Sequence, residues 1–135
     1  EAARLGVGRP SLIAVTVLTS MDAAALAESG VEANHVEQQV ARLARLAAES
    51  GLDGVVASPH EIRVVREAAG RGGFLVVTPG VRPASVSHDD QKRVMTPAEA
   101  VAAGADFVVV GRAILRAADP LRAARDVVAE MEGAA

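Results

Sequence analysis

The sequence predicts an α/β fold assembled from parallel strand–helix units. Three observations carry that expectation. First, four short apolar runs recur along the chain: Leu12-Ile-Ala-Val-Thr-Val-Leu18, Gly54-Val-Val-Ala57, Phe74-Leu-Val-Val77 and Phe107-Val-Val-Val110. Runs this rich in β-branched residues, with almost no polar alternation, suit strands covered on both faces, as in a parallel sheet. Second, the segments between them place apolar residues three and four apart, the period of a helix with one buried face. Third, Gly51-Leu-Asp-Gly-Val-Val echoes Gly104-Ala-Asp-Phe-Val-Val, each a helix stop leading into a strand. Four such units amount to half of an eight-stranded (β/α)8 TIM barrel.

With 135 residues the chain is one domain or part of one. Half of it is apolar, carried by Ala, Val and Leu, and only two residues are aromatic. A core of that kind consists of many small contacts between helices and strands. A net charge of −3 argues against nucleic acid and against acidic membrane surfaces as partners. The absence of cysteine excludes disulfides, thiolate catalysis and cysteine-ligated metals. No apolar run approaches the ~20 residues of a membrane span, and no signal peptide opens the chain, so a soluble cytoplasmic protein is expected.

Taken in order, residues 1–9 read as a helix end and a Gly-rich connection, followed by the strand Leu12–Leu18. Thr19-Ser-Met-Asp22 lies at that strand's carboxyl end, and a short helix from Met21 to Ser29 stops at Gly30. A longer helix from about Asn34 to Ser50 turns Val36, Val40, Leu43 and Ala47 to the sheet. After the strand at Gly54, Ser58-Pro-His-Glu61 has the form of a capping box: a serine cap, a proline in the first helical position and a glutamate reaching back. The helix it opens, Pro59–Ala69, presents Ile62, Val64 and Val65 and is broken by Gly70, Gly72 and Gly73. Beyond the strand at Phe74, residues Ala84–Val94 form a polar loop without periodicity, and long loops in compact domains are often functional. Thr96-Pro-Ala-Glu99 repeats the capping pattern and its helix ends at Gly104. A helical turn at Ala113–Ala117 and a terminal helix from Asp119-Pro120 to about Met131 complete the chain.

The residues suited to chemistry cluster at the strand ends. Arg82 follows the third strand, Gly111 and Arg112 follow the fourth, and Gln91 sits in the loop between. In α/β barrels, ligands bind at the carboxyl ends of the strands, and the loops after the last two strands frequently hold a phosphate. Arginine offers a forked cation suited to a phosphate dianion, while glycine lets a ligand come close to the backbone. The plainer alternative is that Arg82 and Arg112 are solvated surface arginines. His35, His60 and His88 show no metal-ligand spacing, and Asp89 and Asp90 beside His88 read as solvated acids; no metal is expected. Gly6-Val-Gly8 precedes a strand and is too short for a dinucleotide fingerprint.

Four stretches resemble the orotidine 5′-phosphate decarboxylase family: Leu12-Ile-Ala-Val-Thr-Val-Leu-Thr-Ser-Met21, Gly51-Leu-Asp-Gly-Val-Val-Ala-Ser58, Val77-Thr-Pro-Gly-Val-Arg-Pro83, and Asp90-Gln-Lys-Arg-Val-Met-Thr-Pro97 with Gly104-Ala-Asp-Phe-Val-Val-Val-Gly-Arg112. They run in the family's order across nearly the whole chain. The resemblance implies a (β/α)8 barrel that converts orotidine monophosphate to uridine monophosphate and CO2 without metal or cofactor, in pyrimidine biosynthesis. It implies that Arg82, Gln91, Gly111 and Arg112 hold the 5′-phosphate and that Thr19 lies beside the pyrimidine. It also implies a homodimer.

One departure from the family pattern governs the expectation. The family's chemistry resides in a lysine and an Asp-x-Lys-x-x-Asp segment on earlier strands; neither is present, and Lys92 is the chain's single lysine. Residues 1–135 therefore correspond to the C-terminal half of one barrel domain, about strands 5 to 8, with no catalytic residue of their own. The missing N-terminal half is the expected partner. Two other readings stand beside this one: a phosphate-binding barrel of the keto-gulonate-phosphate decarboxylase type, and a non-catalytic phosphate-binding half-barrel module.

Overall fold

The apolar runs become the strands of one parallel sheet in the computed structural model, which describes residues 4–31, 35–83 and 95–133. The elements are β1 (Ile13–Val15), α1 (Ala23–Glu28), α2 (Val36–Glu49), β2 (Gly54–Val56), a 3-10 turn (Pro59–Glu61), α3 (Ile62–Ala69), β3 (Leu75–Pro79), α4 (Pro97–Ala103), β4 (Phe107–Val109), α5 (Arg112–Leu115) and α6 (Pro120–Glu132). The strand order is β1-β2-β3-β4, all pairs parallel. A sequential, parallel, helix-connected sheet is the arrangement of a barrel segment.

Register decides which side chains share a face. Ile13, Gly54 and Leu75 stand level, as do Val15, Val56, Val77 and Phe107, while Val109 pairs with Pro79. On the opposite face Val55, Val76 and Thr78 are fully buried under the helices. They join Val40, Ala44 and Ala47 of α2, Ile62 and Val65 of α3, and Phe74 in the core. This matches the expected inward positions Val40, Ala47, Ile62 and Val65, whereas Ala44 takes the central place in α2 and Val36, Leu43 and Val64 only the margin. Gly54 is required by packing: a Cβ there would stand 2.3 Å from the carbonyl oxygen of Leu75.

The expectation that the strands are covered on both faces needs correction. Phe107 and Val109 are 56% and 51% exposed, and Ile13 and Val15 are 42% and 54% exposed. The cause is geometric. Four strands cover their outer face with helices, but the inner face of a barrel is covered only by the strands opposite, which this chain does not contain. The edge strands are also shorter than the apolar runs, since each has a single neighbour; Leu12–Leu18 contributes only Ile13–Val15 to the ladder.

The helix ends follow the sequence signals with small shifts. Asp22 caps α1 by accepting from Ala25 N, and Asp119 caps α6 by accepting from Arg122 N. Ser58 N donates to the Glu61 carboxylate, and the cap opens as a 3-10 turn before α3 instead of a continuous helix. Thr96 and Glu99 cap α4 reciprocally: Glu99 N donates to Thr96 Oγ1 at 3.2 Å and Thr96 N to Glu99 Oε2 at 2.8 Å.

The internal echo has a structural content that periodicity does not reveal. Asp53, just before β2, donates its N–H to Leu12 O and accepts Leu12 N on its carboxylate at 2.6 Å. Asp106, just before β4, does the same with Val76 O and Val76 N, again at 2.6 Å. Each carboxylate also meets an arginine, Arg9 at 2.8 Å and Arg66 at 2.7 Å. Arg66 in addition donates to the carbonyls of Phe74 and Gly104. A repeated aspartate thus locks β1 to β2 and β3 to β4 in register at the amino end of the sheet, away from the strand carboxyl ends.

Two carboxylates, Asp53 and Glu99, make stability depend on acid. The Arg9 side chain, followed by the Leu12 N–H, holds the Asp53 carboxyl below its ordinary range, and the Thr96 N–H with the Thr96 side chain does the same for Glu99. A depressed folded-state value stabilises the fold above the unfolded carboxylate range of about 3.9–4.3, and that contribution is lost as pH falls through the lower folded values. Thermal midpoints measured between about pH 2 and pH 6 are expected to drop on the acid side, with a shallower dependence in Asp53→Asn. An identical slope in the variant would remove Asp53 from this role.

Candidate functional site

The carboxyl end of the sheet is built by two turns of different chemistry. After β3, Pro79-Gly80 turns the chain; Gly80 adopts a φ of +78°, a conformation that side chains disfavour, so glycine belongs there. Val81 then bridges to Met95 in parallel, and Arg82 N donates to Met95 O at 3.1 Å. This ties the start of α4 back to the end of β3 and fixes the backbone that carries the Arg82 side chain, which is half-buried. After β4, Gly111 caps α5, and its carbonyl accepts from Ile114 N and Leu115 N, both at 3.0 Å.

These two turns face each other across a cleft of about 210 Å3 lined by Gly80, Val81, Arg82, Val109, Gly111, Arg112 and Ala113. Three of the five residues expected at the site, Arg82, Gly111 and Arg112, are therefore brought together. Gly111 is not demanded by packing: a Cβ at that position would meet no atom within 4 Å. Its glycine leaves open space on the cleft wall where a ligand can approach the main chain. Two guanidinium groups on an open, small cleft suit a compact dianion, for which charge-assisted bonds are short and can be bidentate.

The other two expected residues fall elsewhere. Thr19 lies in an exposed turn after the edge strand β1, at the same end of the sheet as the cleft between the ends of β3 and β4, with β2 between them. Gln91, with the rest of the Ala84–Val94 loop and His88, lies outside the described residues. Gly80, Val81 and Ala113 line the cleft without having been singled out, although the Pro79-Gly80 dipeptide is a readable turn signal. His60 is exposed on the 3-10 turn, and His35 stands at the cap of α2 without a side-chain capping bond. Among the described residues no group of three His, Asp or Glu could hold a metal ion, and no helix is long and apolar enough to cross a membrane.

Residues 1–127 match the family model described as orotidine 5′-phosphate decarboxylase / HUMPS. The chain belongs to this family. Among curated relatives, the orotidine 5′-phosphate decarboxylase of Moorella thermoacetica is 59% identical over 133 residues, which is 98% of this chain and 52% of that protein. The enzyme of the same name from Trichlorobacter lovleyi is 58% identical, over 91% of this chain and 50% of its own length. Among solved structures, the orotidine 5′-phosphate decarboxylase of Lactobacillus acidophilus superposes with a TM-score of 0.77 at 38% identity, covering 93% of this chain and 51% of that one. An uncharacterized conserved protein from Geobacillus kaustophilus gives 0.74 at 40% identity. The chain thus spans about half the length of the family relatives it matches, in agreement with a sheet of four strands and one uncovered face.

Proposed function

We propose that the chain is the C-terminal half of a single (β/α)8-barrel domain of an orotidine 5′-phosphate decarboxylase, and that it grips the substrate's 5′-phosphate. The observation that carries this reading is the convergence of Arg82 and Arg112, from adjacent strand ends, on one cleft whose wall opens at Gly111. Gln91 is assigned to the same phosphate and Thr19 to the pyrimidine end, by resemblance to the family. High identity to relatives named as orotidine decarboxylases favours this substrate over a keto-gulonate phosphate.

The division of labour follows from the chemistry. Loss of CO2 from the pyrimidine leaves a carbanion with little resonance stabilisation, so an adjacent ammonium has to stabilise it and deliver a proton. The single lysine of this chain, Lys92, lies in the segment that follows Arg82 on the phosphate side, so this work falls to the N-terminal half. The phosphate grip supplies remote binding energy that favours closure and desolvation at the reacting end. The complete enzyme is proposed to be a soluble cytoplasmic homodimer acting in pyrimidine biosynthesis, without metal or cofactor.

In the complete barrel, Arg82→Ala and Arg112→Ala are each expected to weaken uridine monophosphate binding by roughly 2–3 kcal/mol, or roughly 30- to 150-fold, the cost of a lost charged hydrogen bond. Isothermal titration measures this directly. Unchanged affinity in both variants would overturn the assignment of the cleft to the phosphate.

A further inference from the structure

The peptide unit that joins Met95 to Thr96 is held from both sides. Its carbonyl oxygen accepts the Arg82 N–H at 3.1 Å, and its own N–H, that of Thr96, donates to Glu99 Oε2 at 2.8 Å. A trans peptide points these two groups in opposite directions, so the two bonds run through one rigid plane. The Glu99 carboxylate therefore reaches the backbone of Arg82 through a single intervening amide.

The Glu99 end of this relay carries a charge. The Thr96 N–H, followed by the Thr96 side chain, holds the Glu99 carboxyl below its ordinary range, so it is ionised at neutral pH. A bond from an amide to a carboxylate is stronger than one between neutral groups. Hydrogen bonds in a chain also polarise one another, so the anion on Thr96 N makes Met95 O a better acceptor for Arg82 N.

The Arg82 end has little freedom to compensate. Val81 is buried and bridged to Met95, and Pro83 on the other side is buried too. A proline restricts the residue before it to extended backbone, which here is Arg82. The bond from Arg82 N to Met95 O then sets where its Cα stands, and from there the side chain lines the cleft. Met95 is in place because α4 begins directly after it, and Glu99 caps that start through both its N–H and its carboxylate. Glu99 itself is exposed and does not line the cleft, so its influence on a ligand there passes through the Met95–Thr96 peptide.

We propose that Glu99 is a positioning residue for the phosphate grip, holding the Arg82 main chain, through the Met95–Thr96 peptide, where the guanidinium meets the dianion. This inference rests on the assignment of the cleft to the 5′-phosphate. In the complete barrel, isothermal titration with uridine monophosphate is expected to show Glu99→Ala binding roughly 3- to 10-fold more weakly, the range of one hydrogen bond. Glu99→Gln keeps an oxygen that accepts the Thr96 N–H in the same capping position, and is expected to recover most of the affinity. In an Arg82→Ala background, Glu99→Ala is expected to change nothing further, because the group it positions is gone. A role confined to capping α4 would lower the thermal midpoint and leave the affinity of the folded protein unchanged, and that result overturns the proposal. So does a loss that Glu99→Gln does not reduce, or one of equal size with and without the Arg82 side chain. Unchanged affinity in Arg82→Ala alone would instead separate the cleft from the phosphate, and this proposal would fall with that assignment.

Discussion

Orotidine monophosphate turnover is expected only when this chain is combined with a polypeptide supplying the N-terminal strands of a relative's barrel, and none is expected from the chain alone. The contrast is large because two contributions are absent together. Proton transfer by a positioned acid contributes about 10²–10⁴-fold, and a preorganised charge aimed at the developing carbanion contributes about 10²–10³-fold more. Both need an ammonium at the reacting carbon, and the chain's only lysine, Lys92, follows Arg82 by ten positions in sequence. Product formation followed by the loss of orotate absorbance, with each half alone and with the two mixed, measures this. Steady turnover by the purified 135-residue chain would refute the division of labour. Turnover by the mixture that disappears in Arg82→Ala would tie the phosphate cleft to the reaction.

Phe74→Ala is expected to remove the cooperative unfolding transition of the isolated chain. Phe74 is 1% exposed, is the largest of the fully buried side chains, and carries the Arg71 guanidinium 5.2 Å above its ring. Truncating a buried phenylalanine costs about 3–5 kcal/mol, against a total stability of about 5–15 kcal/mol for an ordinary domain. A sheet covered on one face belongs at the low end of that range. Phe74→Leu, which keeps most of the volume, is expected to retain the transition with a lower urea midpoint. A Phe74→Ala chain that unfolds at the wild-type midpoint would show that the helix-covered face is not where stability resides.

The physical character of each segment was legible along the chain. Apolar β-branched runs marked the four strands, because a strand with helices over it has little room for polar groups. Capping residues marked the helix starts at Pro97 and Pro120, because the first amides of a helix need local acceptors that only nearby side chains can supply. The grouping of Arg82 with Gly111 and Arg112 was also readable, since residues at successive strand ends of a parallel sheet emerge on one side. Such signals are local, or depend only on a repeated unit.

Only the tertiary structure decided the rest. Sequence alone implied strands covered on both faces; the structure exposes Val15, Phe107 and Val109, because coverage of the inner face depends on strands outside this chain. The echo around Asp53 and Asp106 read as a helix stop before a strand. That each carboxylate also clamps the amide of a neighbouring strand follows from the register, and register belongs to a pair of strands. The same reason separates Thr19 from the cleft: in the linear chain it is one more strand-end residue, whereas in the sheet it stands on the far edge, with β2 between. Local sequence determined which elements form and which way they run. Pairing across the sheet determined which of their side chains meet.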